Sequence, residues 1–169
     1  MKAVMCRSFG PPETLLYEEI EDPKAGPNEV VIDVTAAALN FFDTLIIENK
    51  YQTKPTLPFS PGAEFAGTIS EIGEGVSGFE IGQRVMGYTS FGSCREKLIS
   101  RVNRIVPIPE GVSDEIAAGI IVTYGTSYHA LKDRGHLQPG ETLAVLGASG
   151  GVGQAAVELG KAMGAHVIA

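Results

Sequence analysis

The residues of this chain best suited to chemistry form a glycine-rich loop. The loop reads A-x-G-x-x-G from Ala148 to Gly153 and follows a short apolar segment, residues 142–146. A small first residue permits a tight turn, Gly150 lets the main chain approach a diphosphate, and Gly153 lets a helix pack on a strand. The N–H groups at the start of the following helix attract phosphate oxygens. The pattern predicts a dinucleotide site formed by Ala148, Ser149, Gly150, Gly151, Val152 and Gly153.

Two other interpretations of the loop are weaker. A Walker-type phosphate loop is excluded because no Gly-Lys-Ser/Thr follows the glycines. A turn that only packs is the alternative, and the strand before the loop and the helix after it favour binding. An acid or arginine that selects between NAD and NADP is expected roughly 20 residues past the loop. Only 16 residues follow Gly153, so the sequence leaves NADPH and NADH open.

The charge composition argues against polyanionic partners. The chain has 13 basic and 20 acidic residues and a net charge of −7, whereas nucleic acids and anionic membranes require clustered Lys and Arg. The densest basic stretch holds Arg95, Lys97, Arg101 and Arg104 with Glu96 among them, which is typical of a solvated face. We expect a small-molecule substrate, with no nucleic-acid and no membrane partner.

The cysteine and histidine spacing predicts no metal site. Two cysteines, Cys6 and Cys94, are too few for a disulfide scaffold and fit a reducing compartment. The sequence contains no C-x-x-C and no H-E-x-x-H. The first apolar run is too short for a signal peptide, and no run approaches the roughly 20 residues of a membrane span. These features predict a cytoplasmic protein.

Roughly the first hundred residues alternate β-branched runs with glycine and proline turns, which predicts short strands in a small, partly open barrel. Asn40 is placed to cap one short helix and Ser113 to cap another. The predicted strands are residues 3–6, 15–18, 29–38, 67–72, 84–88, 97–100 and 104–106.

The rest of the chain follows a different pattern. It predicts a helix over residues 125–133, a strand over 142–146, a helix over 154–163 that Gly164 ends, and a strand over 166–169. Strand, glycine loop, helix and strand make a βαβ unit, right-handed by default. The fold class is therefore mixed: a β-rich, partly open barrel followed by the start of an α/β nucleotide-binding domain.

Three pieces of sequence together resemble a known family. They are N-F-F-D at residues 40–43, L-P-F-S-P-G-A-E at residues 57–64, and A-S-G-G-V-G at residues 148–153. The whole chain is similar to medium-chain dehydrogenases/reductases, and within them to the zinc-free quinone oxidoreductases of the zeta-crystallin group. The resemblance implies a GroES-like catalytic domain over 1–124, then a linking helix and the start of a Rossmann domain over 125–169. It also implies a nicotinamide bound in the cleft between the domains.

The resemblance further implies a reaction without metal. Zinc-dependent relatives carry Cys at the position of Asn40 and His at that of Ala63, and their structural-zinc lobe is missing near residues 88–94. Without a Lewis acid, hydride transfer from NADPH or NADH suits electron-poor acceptors such as quinones or conjugated enones. Negative charge that develops on oxygen then needs only hydrogen-bond donors and a solvent proton.

Three residues match family positions near the nicotinamide, and they are the candidate catalytic residues: Asn40, Tyr51 and Thr126. Each has a structural alternative, namely a helix N-cap for Asn40, a packed loop tyrosine for Tyr51, and a threonine bonded to its own helix for Thr126. Glu64 matches a glutamate of the zinc-dependent relatives, and we expect it to form a buried salt bridge or cap.

The family chain continues beyond the βαβ unit. Two parallel strands under one helix would leave apolar surface bare at Leu143, Val145, Val167 and Ile168, so we expect self-association. We also expect little reductase activity from these 169 residues alone. An enoyl-thioester reductase is the alternative of the same class. A non-catalytic assembly module built on a GroES-like barrel is the alternative of a different class.

Overall fold

A computed structural model describes every residue of the chain, Met1–Ala169. The chain forms two compact units, Met1–Gly119 and Ile120–Ala169. No helix is both long enough and apolar enough to span a bilayer.

The first unit is built on β-strands. Strands β1 (Lys2–Met5) and β2 (Leu16–Glu19) form an antiparallel pair. A second, five-stranded antiparallel sheet has the order β6-β3-β4-β5-β7. Its strands are β3 (Glu29–Ala38), β4 (Glu64–Ile72), β5 (Arg84–Tyr88), β6 (Lys97–Arg101) and β7 (Ile105–Pro107).

This sheet does not close, because β6 and β7 are its two edges and do not pair with each other. One face of the central strands packs into a buried core, as their apolar alternation requires. The core residues are Val30, Ile32, Phe65, Ile69, Val85, Leu98 and Ile105. The partly open barrel predicted from the sequence is therefore confirmed.

Two short helices complete the first unit. Helix α1 (Phe41–Ile47) buries Ile46 and Ile47 in a second cluster with Cys6 and Phe59. Helix α2 (Asp114–Ala118) is capped by Ser113, whose hydroxyl accepts a hydrogen bond from the N–H of Ile116 at 3.4 Å. The alanines at the end of α2 pack against Ala66 of β4.

The second unit contains the predicted βαβ arrangement. Helix α3 (Ile120–Tyr128) continues into a π-helical segment, His129–Arg134. Strand β8 (Thr142–Ala144), helix α4 (Gly151–Ala162) and strand β9 (His166–Ile168) follow. The two strands pair in parallel.

Several element bounds differ from the sequence predictions. Strand β4 begins at Glu64 rather than at Gly67, because β3 pairs with it along its whole length as far as Ala38. Helix α3 begins at Ile120 rather than at Gly125, since Gly119 alone separates it from α2. Helix α4 begins at Gly151 rather than at Gln154, because the last loop glycines take up the first helical turn.

Candidate functional site

The glycine loop leads directly from β8 into α4. Gly147 has a φ of +74°, the left-handed conformation that favours glycine. The N–H of Gly150 donates to the carbonyl of Gly147 at 3.1 Å, and the N–H of Gln154 donates to the carbonyl of Gly150 at 2.8 Å. Gly150 is the N-cap of α4. The loop is therefore a hydrogen-bonded turn that leads directly into the first turn of α4.

The glycines at 150 and 153 serve different purposes. A Cβ atom on Gly153 would lie 2.2 Å from the carbonyl oxygen of Gly147 and 2.9 Å from the Cα of Ala148. A Cβ on Gly150 would meet nothing closer than 3.6 Å. Gly153 is thus required because the start of α4 closely approaches the turn at Gly147 and Ala148. The sequence predicted that this close contact would be between the helix and the strand. Gly150 is not needed by packing, and the space beside it is open.

The start of α4 presents main-chain donors to this open space. The N–H groups of Gly151, Val152 and Gly153 make no hydrogen bond within the chain, as expected for the first turn of a helix. An open cavity of about 570 Å³ lies against the loop, lined mainly by β8, the loop and α4. No acidic side chain lines the cavity. Unpaired donors at the positive end of a helix fit the diphosphate of a dinucleotide.

Helix α3 supports the loop from within the same unit. The buried Ser127 hydroxyl donates to the carbonyl of Val152 at 2.7 Å, and the Thr123 methyl lies 3.0 Å from where a Gly151 Cβ would be. These two side chains are four residues apart and share one helix face. The spacing of Thr123 and Ser127 could have indicated from the sequence that one face of α3 contacts the glycine loop, but it was not used. Thr126, the predicted catalytic threonine, has an exposed side chain on α3.

Asn40 lies in the first unit and donates two hydrogen bonds. It is the N-cap residue of α1, and its main-chain N–H donates to a carboxylate oxygen of Asp43 at 2.7 Å. Its side-chain amide donates to Glu64 at 2.8 Å. Glu64 is 1% exposed at the start of β4. Asn40 therefore caps α1, and its side-chain amide also donates to the buried glutamate.

A group of titratable side chains surrounds this pair. Burial raises the pKa of Asp43, against the opposing effect of the main-chain N–H groups of Asn40 and Gly62. Tyr88 lies opposite Glu64 in the β4–β5 register. Burial raises the pKa of Tyr88, and the nearby Tyr51, Asp43 and Glu64 raise it further. Sequence reasoning did not select Tyr88, although it ends a predicted strand beside the 57–64 motif.

Tyr51 is a packed residue. Its ring stacks on Phe42 with a centroid separation of 5.6 Å and an interplanar angle of 23°. The side chain is half-buried beside the cluster of Cys6, Ile46 and Phe59. Tyr51 thus belongs to the surroundings of Tyr88, and its ring position is fixed by apolar contacts.

The residues at the family's zinc position do not fit that metal. The Asn40 amide is bonded to Glu64, and Ala63 is fully buried with no side-chain donor atom. Zinc in proteins is held by Cys, His and carboxylate ligands. No group of three or more such side chains comes together in the structure.

Comparison with known proteins identifies the family. The model of the alcohol dehydrogenase GroES-like domain matches residues 26–127. The chain belongs to this family. It is 39% identical over 158 residues to quinone oxidoreductase-like protein 2 of Rattus norvegicus, covering 94% of this chain and 45% of the relative. It is 34% identical to the acryloyl-coenzyme A reductase of Sulfurisphaera tokodaii, covering 99% of this chain and 58% of that enzyme.

Solved structures agree with this assignment. A probable oxidoreductase from Mycobacterium abscessus is 44% identical with a TM-score of 0.93, covering 99% of this chain and 54% of that one. Escherichia coli quinone oxidoreductase, solved with NADPH, is 29% identical with a TM-score of 0.93, covering 99% and 51%. The predicted membership of the zinc-free quinone oxidoreductase group is confirmed. The chain spans about half the length of these relatives.

Proposed function

We propose that this chain carries the glycine loop and catalytic domain of an NADPH-dependent reductase that acts on quinones or conjugated enones without zinc. The observation that carries the proposal is the open space beside Gly150, with unbonded N–H groups of Gly151, Val152 and Gly153 around it. NADPH is favoured over NADH because the E. coli relative was solved with NADPH. The division into domains 1–124 and 125–169 is part of the proposal.

The loop residues would hold the diphosphate through main-chain donors. The N–H groups of residues 151–153 bind phosphate oxygens, and the positive end of α4 favours their charge. Ala148 and Ser149 shape the turn, and the exposed Ser149 hydroxyl is available as a further donor. NADPH, when bound, supplies the hydride.

In the first unit, Asn40 is the proposed donor to the substrate oxygen. An asparagine amide has two N–H groups, and the 2.8 Å bond to Glu64 uses one of them and fixes the amide. The second N–H stabilises negative charge that develops on a carbonyl oxygen. Tyr51 and Thr126 are the other proposed donors, and solvent supplies the proton.

An enoyl-thioester substrate is the second candidate. The likeness to acryloyl-coenzyme A reductase favours it. Quinones, enones and enoyl thioesters are all conjugated acceptors, so the same donors serve each of them. Only the groups that bind the rest of the substrate would differ.

The test is binding of NADPH by the chain, followed through the fluorescence of the reduced nicotinamide. Gly150→Val places a branched side chain where the diphosphate would approach, and we expect it to weaken binding at least about tenfold. Ala162→Val, at an exposed position near the end of α4, is the control and should bind as the unaltered chain does. Circular dichroism checks that each variant folds.

Substrate choice is tested separately by NADPH oxidation with a quinone, an enone and an enoyl-coenzyme A as acceptors, in a chain extended to the length of the relatives, because we expect little turnover from these 169 residues alone. A chain that folds but shows no saturable NADPH binding would contradict the proposal. Equal binding by the unaltered chain and by Gly150→Val would contradict it as well. Turnover with enoyl-coenzyme A alone would favour the second candidate.

A further inference from the structure

The basic stretch between residues 95 and 104 is more than a solvated face. Its first arginine, Arg95, is half-buried just before β6. The Nε atom of Arg95 is buried and has no hydrogen-bond partner. Burial lowers the pKa of Arg95, and the only other influence on its pKa is the Cys94 thiol. Buried charges in proteins are normally paired, so an unpaired arginine in a chain with excess acid requires an explanation.

Three acidic residues of the first unit have partners other than Arg95. Asp22 pairs with the N-terminal amine at 2.7 Å, and Asp33 pairs with Lys97 at 2.7 Å. Glu96 accepts a hydrogen bond from the main-chain N–H of Lys2 at 2.7 Å. The chain thus supplies counter-charges to Lys97 and to its own amino terminus but none to Arg95.

Arg95 lines a cavity, and a second cavity adjoins it. The first has a volume of about 130 Å³ and includes Phe91 and Leu98 among its walls. The second has a volume of about 340 Å³ and is lined by Arg101 and Arg104. Both cavities share Thr89 and Ile99 as walls.

The two cavities lie where the barrel stays open. Ile99 and Arg101 belong to the edge strand β6, Thr89 follows β5, and Arg104 precedes the other edge strand, β7. We call this region the arginine seam, defined by Arg95, Arg101, Arg104, Thr89, Ile99 and Ser100.

The charges of the arginine seam are unbalanced. Three arginines line it against one carboxylate, Glu29, which already accepts the main-chain N–H of Gly26 at 3.2 Å. The hydroxyls of Thr89 and Ser100 donate to main-chain carbonyls, at 3.0 and 3.3 Å. Recognition therefore falls to guanidinium groups, whose planar forks match the oxygens of phosphate.

We propose that the arginine seam binds a phosphoryl group of a small molecule, with the half-buried Arg95 as its anchor. A phosphoryl group carries more than one negative charge. It therefore balances three arginines better than a ligand with a single carboxylate group would. The source is either free phosphate or a phosphate-bearing substrate such as a coenzyme A thioester. The site lies in the first unit, whereas the glycine loop belongs to the second. Only a coenzyme A thioester as the source rests on the proposed function; phosphate binding itself does not.

The experiment is calorimetric titration of the chain with pyrophosphate. We expect saturable binding, and Arg95→Gln should weaken it at least about tenfold, because a charge-assisted buried contact is lost. Arg104→Gln, at an exposed position, should weaken it severalfold without risk to the fold. Arg134→Gln, an exposed arginine of the second unit, is the matched control and should have no effect.

Two further arms separate the possible sites and sources. Gly150→Val should bind pyrophosphate as the unaltered chain does. If Gly150→Val loses pyrophosphate binding and Arg95→Gln keeps it, the anion lies at the glycine loop and the proposal is overturned. Absence of saturable binding to the unaltered chain would also overturn it. If Arg95→Gln does not fold, unchanged binding by Arg104→Gln overturns the proposal. Inorganic phosphate and coenzyme A are titrated in parallel, and the ligand that binds more tightly identifies the source. Its binding must depend on Arg95.

Discussion

The side-chain amide of Asn40 donates a 2.8 Å hydrogen bond to the carboxyl group of Glu64, which is almost completely removed from solvent. The two residues come from different motifs, one at the start of α1 and one at the start of β4. The resemblance to the zinc-free quinone oxidoreductases implies that their zinc-dependent relatives carry a metal ligand at the position of Asn40. In this chain, the position is occupied by the Asn40 amide, which is hydrogen-bonded to the buried Glu64.

We predict that Asn40→Ala destabilises the first unit. Removing the amide leaves a buried carboxyl group without one of its donors, which costs about 1–3 kcal/mol. Asn103→Ala, at an exposed turn before β7, is the control and should change stability by less than about 0.5 kcal/mol. Urea unfolding followed by circular dichroism measures both. Equal midpoints for the two variants would show that the hydrogen bond contributes nothing.

The glycine pair at 150 and 153 gives a second prediction. Gly153→Ala forces a Cβ atom to within 2.2 Å of the Gly147 carbonyl oxygen, whereas Gly150→Ala meets nothing within 3.5 Å. We expect Gly153→Ala to lower the stability of the second unit by about 1–3 kcal/mol, as overpacking does. Gly150→Ala should leave it nearly unchanged. Thermal unfolding compares them, and a Gly153→Ala variant as stable as Gly150→Ala would contradict the packing argument.

Much of this arrangement follows from sequence pattern alone. The strand β3, the capping of α2 by Ser113 and the parallel pairing of β8 with β9 were each predictable from β-branched runs, cap residues and glycine punctuation. These are local signals, and they agree with the fold. The A-x-G-x-x-G loop was predictable for the same reason.

Contacts between distant residues were not predictable in the same way. The partner of Asn40 is 24 residues away, and the register of β4 with β5 is what brings Tyr88 opposite Glu64. Arg95 has the sequence context of a solvated charge, and only its burial without a counter-charge distinguishes it from Arg101. Such features depend on tertiary packing, which a single sequence does not encode in its local pattern.

A third prediction concerns acid stability. The pKa of Asp114 is lowered by the hydrogen bond from Thr35 at 2.6 Å and by the contact with Arg84. A carboxyl group whose pKa is lower in the folded state adds stability above its unfolded pKa, and this stability is lost as the pH falls through the folded pKa. Because Arg84 is 41% exposed, the effect should be about 1 kcal/mol or less.

Asp114→Asn should therefore have a lower free energy of unfolding than the unaltered chain at neutral pH. Its free energy of unfolding should also fall less on acidification than that of the unaltered chain. Unfolding free energies at neutral and at strongly acidic pH measure the difference. Glu110→Gln, which removes an exposed acid from the turn before α2, is the control and should retain the pH dependence of the unaltered chain. An Asp114→Asn variant with the same pH dependence would mean that Asp114 is not linked to folding.

A fourth prediction concerns the two cysteines. Burial raises the pKa of Cys94 to about 11, and burial also raises the pKa of Cys6. The thiolate is the reactive form, and at neutral pH only about one Cys94 in ten thousand is ionised. We expect both thiols of the folded chain to react with a disulfide reagent at least about 100-fold more slowly than in urea. Rapid labelling of the folded chain would contradict this.

The last prediction concerns self-association, which was expected from apolar surface left bare on the second unit. Leu143, Val145 and Val167 prove half-buried, and the bare positions are Leu146, 96% exposed, and Ile168, 62% exposed. Exposed apolar patches of this kind favour contact with another copy. Light scattering should show association that increases with concentration.

The substitutions Leu146→Lys and Ile168→Lys together should weaken that association at least about tenfold, since each buried aliphatic side chain contributes more than about 1.4 kcal/mol. Ile116→Lys, at an equally exposed isoleucine of the first unit, is the matched control and should associate as the unaltered chain does. If the unaltered chain stays monomeric at every concentration, these side chains do not form a contact between copies. If Ile116→Lys alone abolishes association, the interface lies on α2 instead.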